Sequence, residues 1–293
     1  MEKIDTMKQN NCFIIGLPET GKTTYLAALS YTLKQAKEPT KLRWQNFNGD
    51  HQYLTQLIKT WLSGEKVART APAMQQKKLT LEVIDEKNTV YTVSFPDLSG
   101  ELFQEQYKNR EIDKNTTEYI KNCESFMLFL NPKNLHVPDY ISSVPVKDRE
   151  NIQSDVKLNN ENTNNEYNFN TAPSAVQLVD ILQFVDFLKN NAPYKLSIIV
   201  SAWDIIEEGT PDLKPEQFVL EQLPLLWQYI TSNSPKIQVY YYGVSAQGGT
   251  LEGDVSTFLS KFGWKPTERI IVVDNIGKRS HDITLPLWEV MSV

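Results

Sequence analysis

The chain has 293 residues, of which 40% are hydrophobic and 23% charged, the balance of an ordinary water-soluble globular fold large enough for a sizeable core. A formal net charge of −6 and a pI near 5.3 speak against nucleic acid as the main ligand, because a phosphate backbone is bound chiefly by neutralising lysines and arginines. Cys12 and Cys123 are the two cysteines and each sits at the start of an apolar run, so buried thiols in a reducing cytoplasm are expected rather than a disulfide. No run approaches the roughly 18 apolar residues of a membrane span. The opening Met-Glu-Lys-Ile-Asp-Thr lacks the basic-then-apolar order of a signal peptide, and neither Gly at position 2 nor a terminal CaaX cysteine is present, so no direct membrane anchor is expected.

In chain order, the apolar run from Cys12 to Ile15 predicts a buried strand, and Gly16-Leu-Pro-Glu-Thr-Gly-Lys-Thr23 follows it directly. This is a complete G-x-x-x-x-G-K-[ST] phosphate loop, in which backbone N–H groups wrap phosphates and the next helix aims its N-terminus at them. Gly16 and Gly21 permit the turn, Lys22 is expected to reach the β- and γ-phosphates, and the Thr23 hydroxyl to ligate Mg²⁺. Glu19, Thr20 and Thr24 complete the nucleotide-wrapping segment. Leu26, Leu29 and Leu33 then recur at helical spacing.

A helical insert is predicted within about residues 41–66, its stripe of Tyr53, Leu54, Leu57, Ile58, Trp61 and Leu62 beginning at Asp50 and stopping at Gly64. The stripe either packs on the core or presents a face to a partner. Lys78–Ile84 and Val90–Phe95 read as an antiparallel hairpin, and the second strand runs into Asp97-Leu-Ser-Gly100-Glu101. In a phosphate-loop protein an Asp at that strand tip holds a Mg²⁺-bound water and the Gly N–H contacts the γ-phosphate.

Strands are further predicted at Ser125–Leu130, Leu196–Val200, Ile237–Val244 and Ile270–Val273, with helices over Ala175–Asn190 and Pro215–Ser232. Between about 133 and 173 lies an excursion rich in asparagine, with little to bury. Alternating strands and helices predict a single elaborated α/β domain over 1–293, a mostly parallel sheet with helices on both faces. Two strand tips carry a further pair of motifs, Ser201-Ala-Trp-Asp204 and Ser245-Ala-Gln247. His51, His136 and His281 lack metal-ligand spacing.

Taken together and in this order, these segments resemble the TRAFAC-class P-loop GTPases, the Ras-like G domains, from Gly16 to Ala246. The Gly16-Leu-Pro opening is similar to the Era and TrmE branch. The tail Asp282-Ile-Thr-Leu-Pro-Leu-Trp288 and the long inserts look like the prokaryotic double-GTPase type, found in systems linked to biological conflict. The resemblance implies a cytoplasmic GTP/GDP switch using Mg²⁺, with an effector or regulator on its switch loops and a second copy of the G domain as a further partner. It assigns guanine recognition to Ala202, Trp203 and Asp204 with Ser245 and Ala246, the Asp accepting from guanine N1–H and the exocyclic amine.

Three departures from the family pattern matter. Ala202 stands where the family has a Lys along the base, and Gln247 replaces the Lys of S-A-K, so either base affinity is weaker or Trp203 covers part of the base. Glu101 stands where a Gln orients the attacking water, which predicts slow hydrolysis. The switch threonine is expected at Thr70, with Thr80 as the alternative, and Arg69 is either an internal arginine finger or a solvated surface residue. A nucleotide-bound scaffold that does not hydrolyse and an ATP-using phosphate-loop enzyme are the competing readings.

Overall fold

The computed structural model describes residues 10–35, 39–65, 79–95, 101–138, 172–249, 255–262 and 265–292. Arg69, Thr70, Asp97, Gly100 and most of the Asn-rich excursion lie outside these described residues.

The described residues form a nine-stranded sheet in the order β2-β3-β4-β1-β5-β6-β7-β8-β9. Its centre, β4-β1-β5-β6-β7, is parallel. The strands are β1 (Asn10–Gly16), β4 (Val90–Phe95), β5 (Ser125–Leu130), β6 (Tyr194–Ser201) and β7 (Ile237–Ser245). Both margins are antiparallel, β2 (Leu42–Asn48) and β3 (Leu79–Asp85) on one side, β8 (Ile271–Val273) and β9 (Arg279–Ser280) on the other.

Side chains alternate across the sheet with the period of two that strand geometry imposes. Cys12 and Ile14 face one core, with Met127 and Phe129, while Phe13 and Ile15 face the other, with Phe126 and Leu128. Because both faces are covered, β5 is buried at every position and reads as a continuous apolar run. The first face is covered by α1 (Lys22–Gln35), α2 (His51–Leu62) and the last helix, α10 (Leu285–Met291). On the second face lie α3 (Glu101–Asn109), α4 (Lys114–Asn122), α5 (Ser174–Leu188), α7 (Pro215–Gln222) and α8 (Pro224–Ser232). Two short helices, α6 (Trp203–Gly209) and α9 (Val255–Ser260), follow β6 and precede β8.

The structure corrects two elements. The insert begins with a strand, β2, not with helix. Its apolar residues Leu42, Trp44 and Phe47 change parity because the register with β3 shifts between Trp44 and Asn46, a bulge that hides the alternation in the sequence. The single helix expected over Pro215–Ser232 is two helices, broken at Leu223 (φ −134, ψ 55) because Pro224 has no N–H to continue the ladder and disfavours a helical predecessor.

The α2 stripe packs on the core. Leu54, Leu57 and Trp61 are buried and Tyr53, Ile58 and Leu62 lie against them, while Gln52, Thr55 and Gln56 face outward. Asp50 caps the helix by accepting from the Gln52 and Tyr53 N–H groups, both at 3.0 Å. At the other end Gly64 (φ 68) takes the left-handed turn, and the Glu65 N–H reaches back to the Thr60 carbonyl at 3.2 Å. Asp50→Ala is expected to lower stability by about 1 kcal/mol. Urea unfolding should show a lower midpoint at an unchanged slope.

Candidate functional site

All the sequence motifs among the described residues gather at the carboxyl ends of the parallel strands. After β4 the chain crosses β1 to form β5, and the covering helices change faces at the same place, so a crevice opens above Gly16. Register sets the depths: Gly16 is level with Phe129, and Ser201 with Val244.

The phosphate loop is shaped by its glycines. Gly16 (φ 147) lies so close to β5 that a Cβ would stand 2.9 Å from the Phe129 carbonyl oxygen. Gly21 (φ 90) passes the tip of β6, where a Cβ would meet Ser201 Cβ and Oγ at 3.1 Å. Glu19 adopts φ 58 between them. Lys22, 2% exposed, is folded inward and donates from Nζ to the carbonyls of Leu17 at 2.7 Å and Gly16 at 3.0 Å. Thr20 Oγ1 donates to the Leu17 carbonyl at 2.8 Å. Thr23 and Thr24 are half-buried in the first turn of α1. A buried ammonium beside left-handed turns at a helix N-terminus suits a polyanion.

Sequence reasoning missed two residues that hold this loop. Asn131 and Asn134, just beyond β5, donate from Nδ2 to the Glu19 carbonyl at 2.9 and 3.1 Å. Their signal was available in Asn131, which closes a buried strand and precedes Pro132 at the same edge as the phosphate loop.

The second half of the site stands on β6 and β7. Ser245 Oγ donates to Asp204 Oδ1 and accepts the Gly248 N–H at 2.9 Å, so one hydroxyl ties two strand tips and closes the loop after β7. Asp204 is 8% exposed and lies in the first turn of α6. Ala202 precedes it in the left-handed region at φ 48. Ser201 Oγ, beside Gly21, is buried and has no hydrogen-bond partner among the described residues. Nearby, burial pushes the Glu207 carboxyl up, opposed by Arg279 at 3.2 Å and reinforced by Asp204.

Trp203 does not reach the crevice through its ring. Its indole is 1% exposed and packs edge-on to Phe218 and flat against Gly243, where a Cβ would stand 2.1 Å away. Aromatic character at a strand tip suggested a base cover, but the ring turns into the core on the α5 face. Ala246 is 9% exposed, and its carbonyl accepts the Trp61 indole N–H of α2 at 2.8 Å. Glu101 is the half-buried first residue of α3. The structure thus brings together Gly16 to Thr24, Ser201 to Asp204 and Ser245 to Ala246 at one sheet edge.

Among the described residues no helix is long and apolar enough to cross a membrane. Comparison with curated proteins finds no match. Solved structures similar to this chain include the Ski7 GTPase-like domain of S. cerevisiae bound to GTP, at 15% identity over 82% of this chain and 43% of that one, with a TM-score of 0.35. The same domain bound to GDP and inorganic phosphate matches at 14% identity, with the same coverage and TM-score. A nucleolar GTP-binding protein 1 candidate from Plasmodium falciparum matches at 11% identity, over 86% of this chain and 84% of that one, also at 0.35. The chain spans less than half the length of the Ski7 structures. The model of the family described as Double-GTPase 1 matches residues 13–290, nearly the whole chain, with the phosphate loop and both strand-tip motifs inside it, and the chain belongs to that family.

Proposed function

We propose that the protein is a Mg²⁺-dependent GTP/GDP switch with slow intrinsic hydrolysis. The observation that carries this is the Ser245–Asp204 hydrogen bond at the same sheet edge as the folded-in Lys22. It presents a nearly buried carboxylate in fixed orientation, and a carboxylate accepts where guanine has N1–H and an amine but adenine has none. Leaving such a group unpaired against the wrong base is what gives a hydrogen-bonding site its selectivity. With Ala202 in place of the family's lysine and the Trp203 ring in the core, selectivity rests on Asp204 and the loop after β7.

On phosphate binding Lys22 exchanges its loop carbonyls for phosphate oxygens, and the Gly16–Gly21 turn already holds the left-handed backbone this requires. Thr23 stands at the start of α1 where a metal-ligating hydroxyl is needed; its proposed companions Asp97 and Thr70 lie outside the described residues. Thr23 would help hold Mg²⁺, which would supply neutralisation of phosphate charge. Glu101 places a carboxylate where a neutral amide would orient water, so we assign slow turnover to the isolated protein and completion of the site to an effector, a regulator or a second copy on the switch loops. The setting we assign, a prokaryotic conflict system, is what the double-GTPase resemblance implies.

Lys22→Ala should remove a charge-assisted contact of about 1.5–3 kcal/mol, weakening GTP about tenfold or more in calorimetry. Unchanged affinity in the folded variant would refute the phosphate site. Asp204→Asn should exchange acceptor for donor and move preference from GTP toward XTP in competition binding. Wild-type protein that binds GTP and ATP equally well would remove the guanine assignment. Single-turnover hydrolysis should run far below the roughly 5–20 s⁻¹ of fully stimulated GTPases, and Glu101→Gln should preserve or raise it. A large loss in Glu101→Gln would instead make that carboxylate a catalytic base.

A further inference from the structure

Trp61 lies in the inserted helix α2, yet it is fully buried and its polar contact is with the loop after β7. The indole Nε1–H donates to the Ala246 carbonyl at 2.8 Å, across 185 residues of sequence. A buried indole N–H needs an acceptor, and this one has taken a backbone oxygen in the middle of the proposed base-recognition loop.

The ring has two further neighbours. Arg269, 1% exposed, stacks its guanidinium 4.0 Å from the ring centroid and donates from Nη2 to the Trp61 carbonyl. Tyr31 of α1 lies on the ring at 5.3 Å between centroids. Arg269 also touches the loop directly: Gly248 (φ 81) passes so near that a Cβ would stand 2.0 Å from the Arg269 carbonyl oxygen. From the sheet side, Ser245 Oγ binds Asp204 and the Gly248 N–H. Ser245, Ala246 and Gly248 are therefore held by Asp204 of α6, by Trp61 of α2 and by Arg269.

We propose that Trp61 is a positioning residue for guanine recognition, its indole N–H fixing the Ala246 carbonyl so that the loop from Ser245 to Gly248 stays shaped to the base. This rests on the reading of Asp204 as the guanine acceptor. Setting the direction of the Ala246–Gln247 peptide restricts the backbone of Ala246, the residue directly after the Ser245 that orients Asp204. The insert thereby contributes to base selectivity without touching the nucleotide, and the Tyr31 contact joins the same ring to the helix that starts at Lys22.

The test is Trp61→Phe, which keeps an aromatic ring beside Arg269 and Tyr31 and removes the donor. GDP and ADP affinities are measured on wild type and variant. GDP affinity should fall about fivefold or more while ADP affinity holds, so that the preference for GDP narrows. Parallel loss of both nucleotides, or wild-type affinity for both, overturns the positioning role. A wild type without preference for GDP over ADP overturns the Asp204 reading itself, a result separable from the first because it needs no variant. Should Trp61→Phe fail to fold, solvent exchange of the Trp61 indole N–H in the wild-type protein decides the matter. GDP should slow it and pyrophosphate should not, and equal effects of the two refute the proposal.

Discussion

The buried ammonium of Lys22 constrains the phosphate end of the molecule. A cation that is 2% exposed is tolerated only when its hydrogen-bonding directions are met, and here main-chain carbonyls of the loop that carries it meet them. Those carbonyls can curl around the ammonium only because Gly16, Glu19 and Gly21 turn through positive φ. Turns of that kind need a stiff base. It is supplied by β1 between two parallel neighbours and by two asparagines that grip the Glu19 carbonyl from beyond β5. In this way an acidic chain of net charge −6 can offer a local welcome to phosphate without any broad basic surface.

The other end of the crevice follows a different rule. There the proposed base acceptor, the Asp204 carboxyl group, is steadied by the Ser245 hydroxyl. A cationic partner would hold the carboxylate by charge and compete with a base for it. A serine orients one oxygen by a hydrogen bond alone. The two ends meet where Ser201 lies against Gly21, so movement of the phosphate loop and of the β6 tip cannot be independent.

Much of this was legible in the sequence because it is local. The phosphate loop is contiguous, the hairpin alternates cleanly with Leu79, Leu81 and Val83 facing one core, and β5 is apolar throughout. What escaped depends on information that local patterns do not carry. A bulge reverses the phase of β2 between Trp44 and Asn46, and a strand of unsteady phase looks like part of the helix after it. A proline inside an apolar periodicity divided α7 from α8 while leaving the periodicity intact. Trp203 occupies a motif position, yet the missing side chain of Gly243, forty residues on, decides where its ring goes. The grip of Arg269 on Trp61 spans 208 residues and has no sequence signature. The switch-threonine candidate Thr70, its neighbour Arg69, and Asp97 with Gly100 stand outside the described residues, so their roles rest on the resemblance.

The final helix has an implication for how such a protein is made. Leu287, Val290 and Met291 of α10 cover the sheet face shared by Ile14, Met127 and Ile199, the Ile283 carbonyl accepts the Tyr25 hydroxyl at 3.0 Å, and the Asp282 carboxylate accepts the Lys41 N–H at 2.9 Å. While the ribosome is still holding these residues, α1 and α2 alone cover that side of the central strands, and β2 lacks its tie to Asp282. Part of the apolar side of the earliest strand therefore stays uncovered until this helix, far along the chain, has been made.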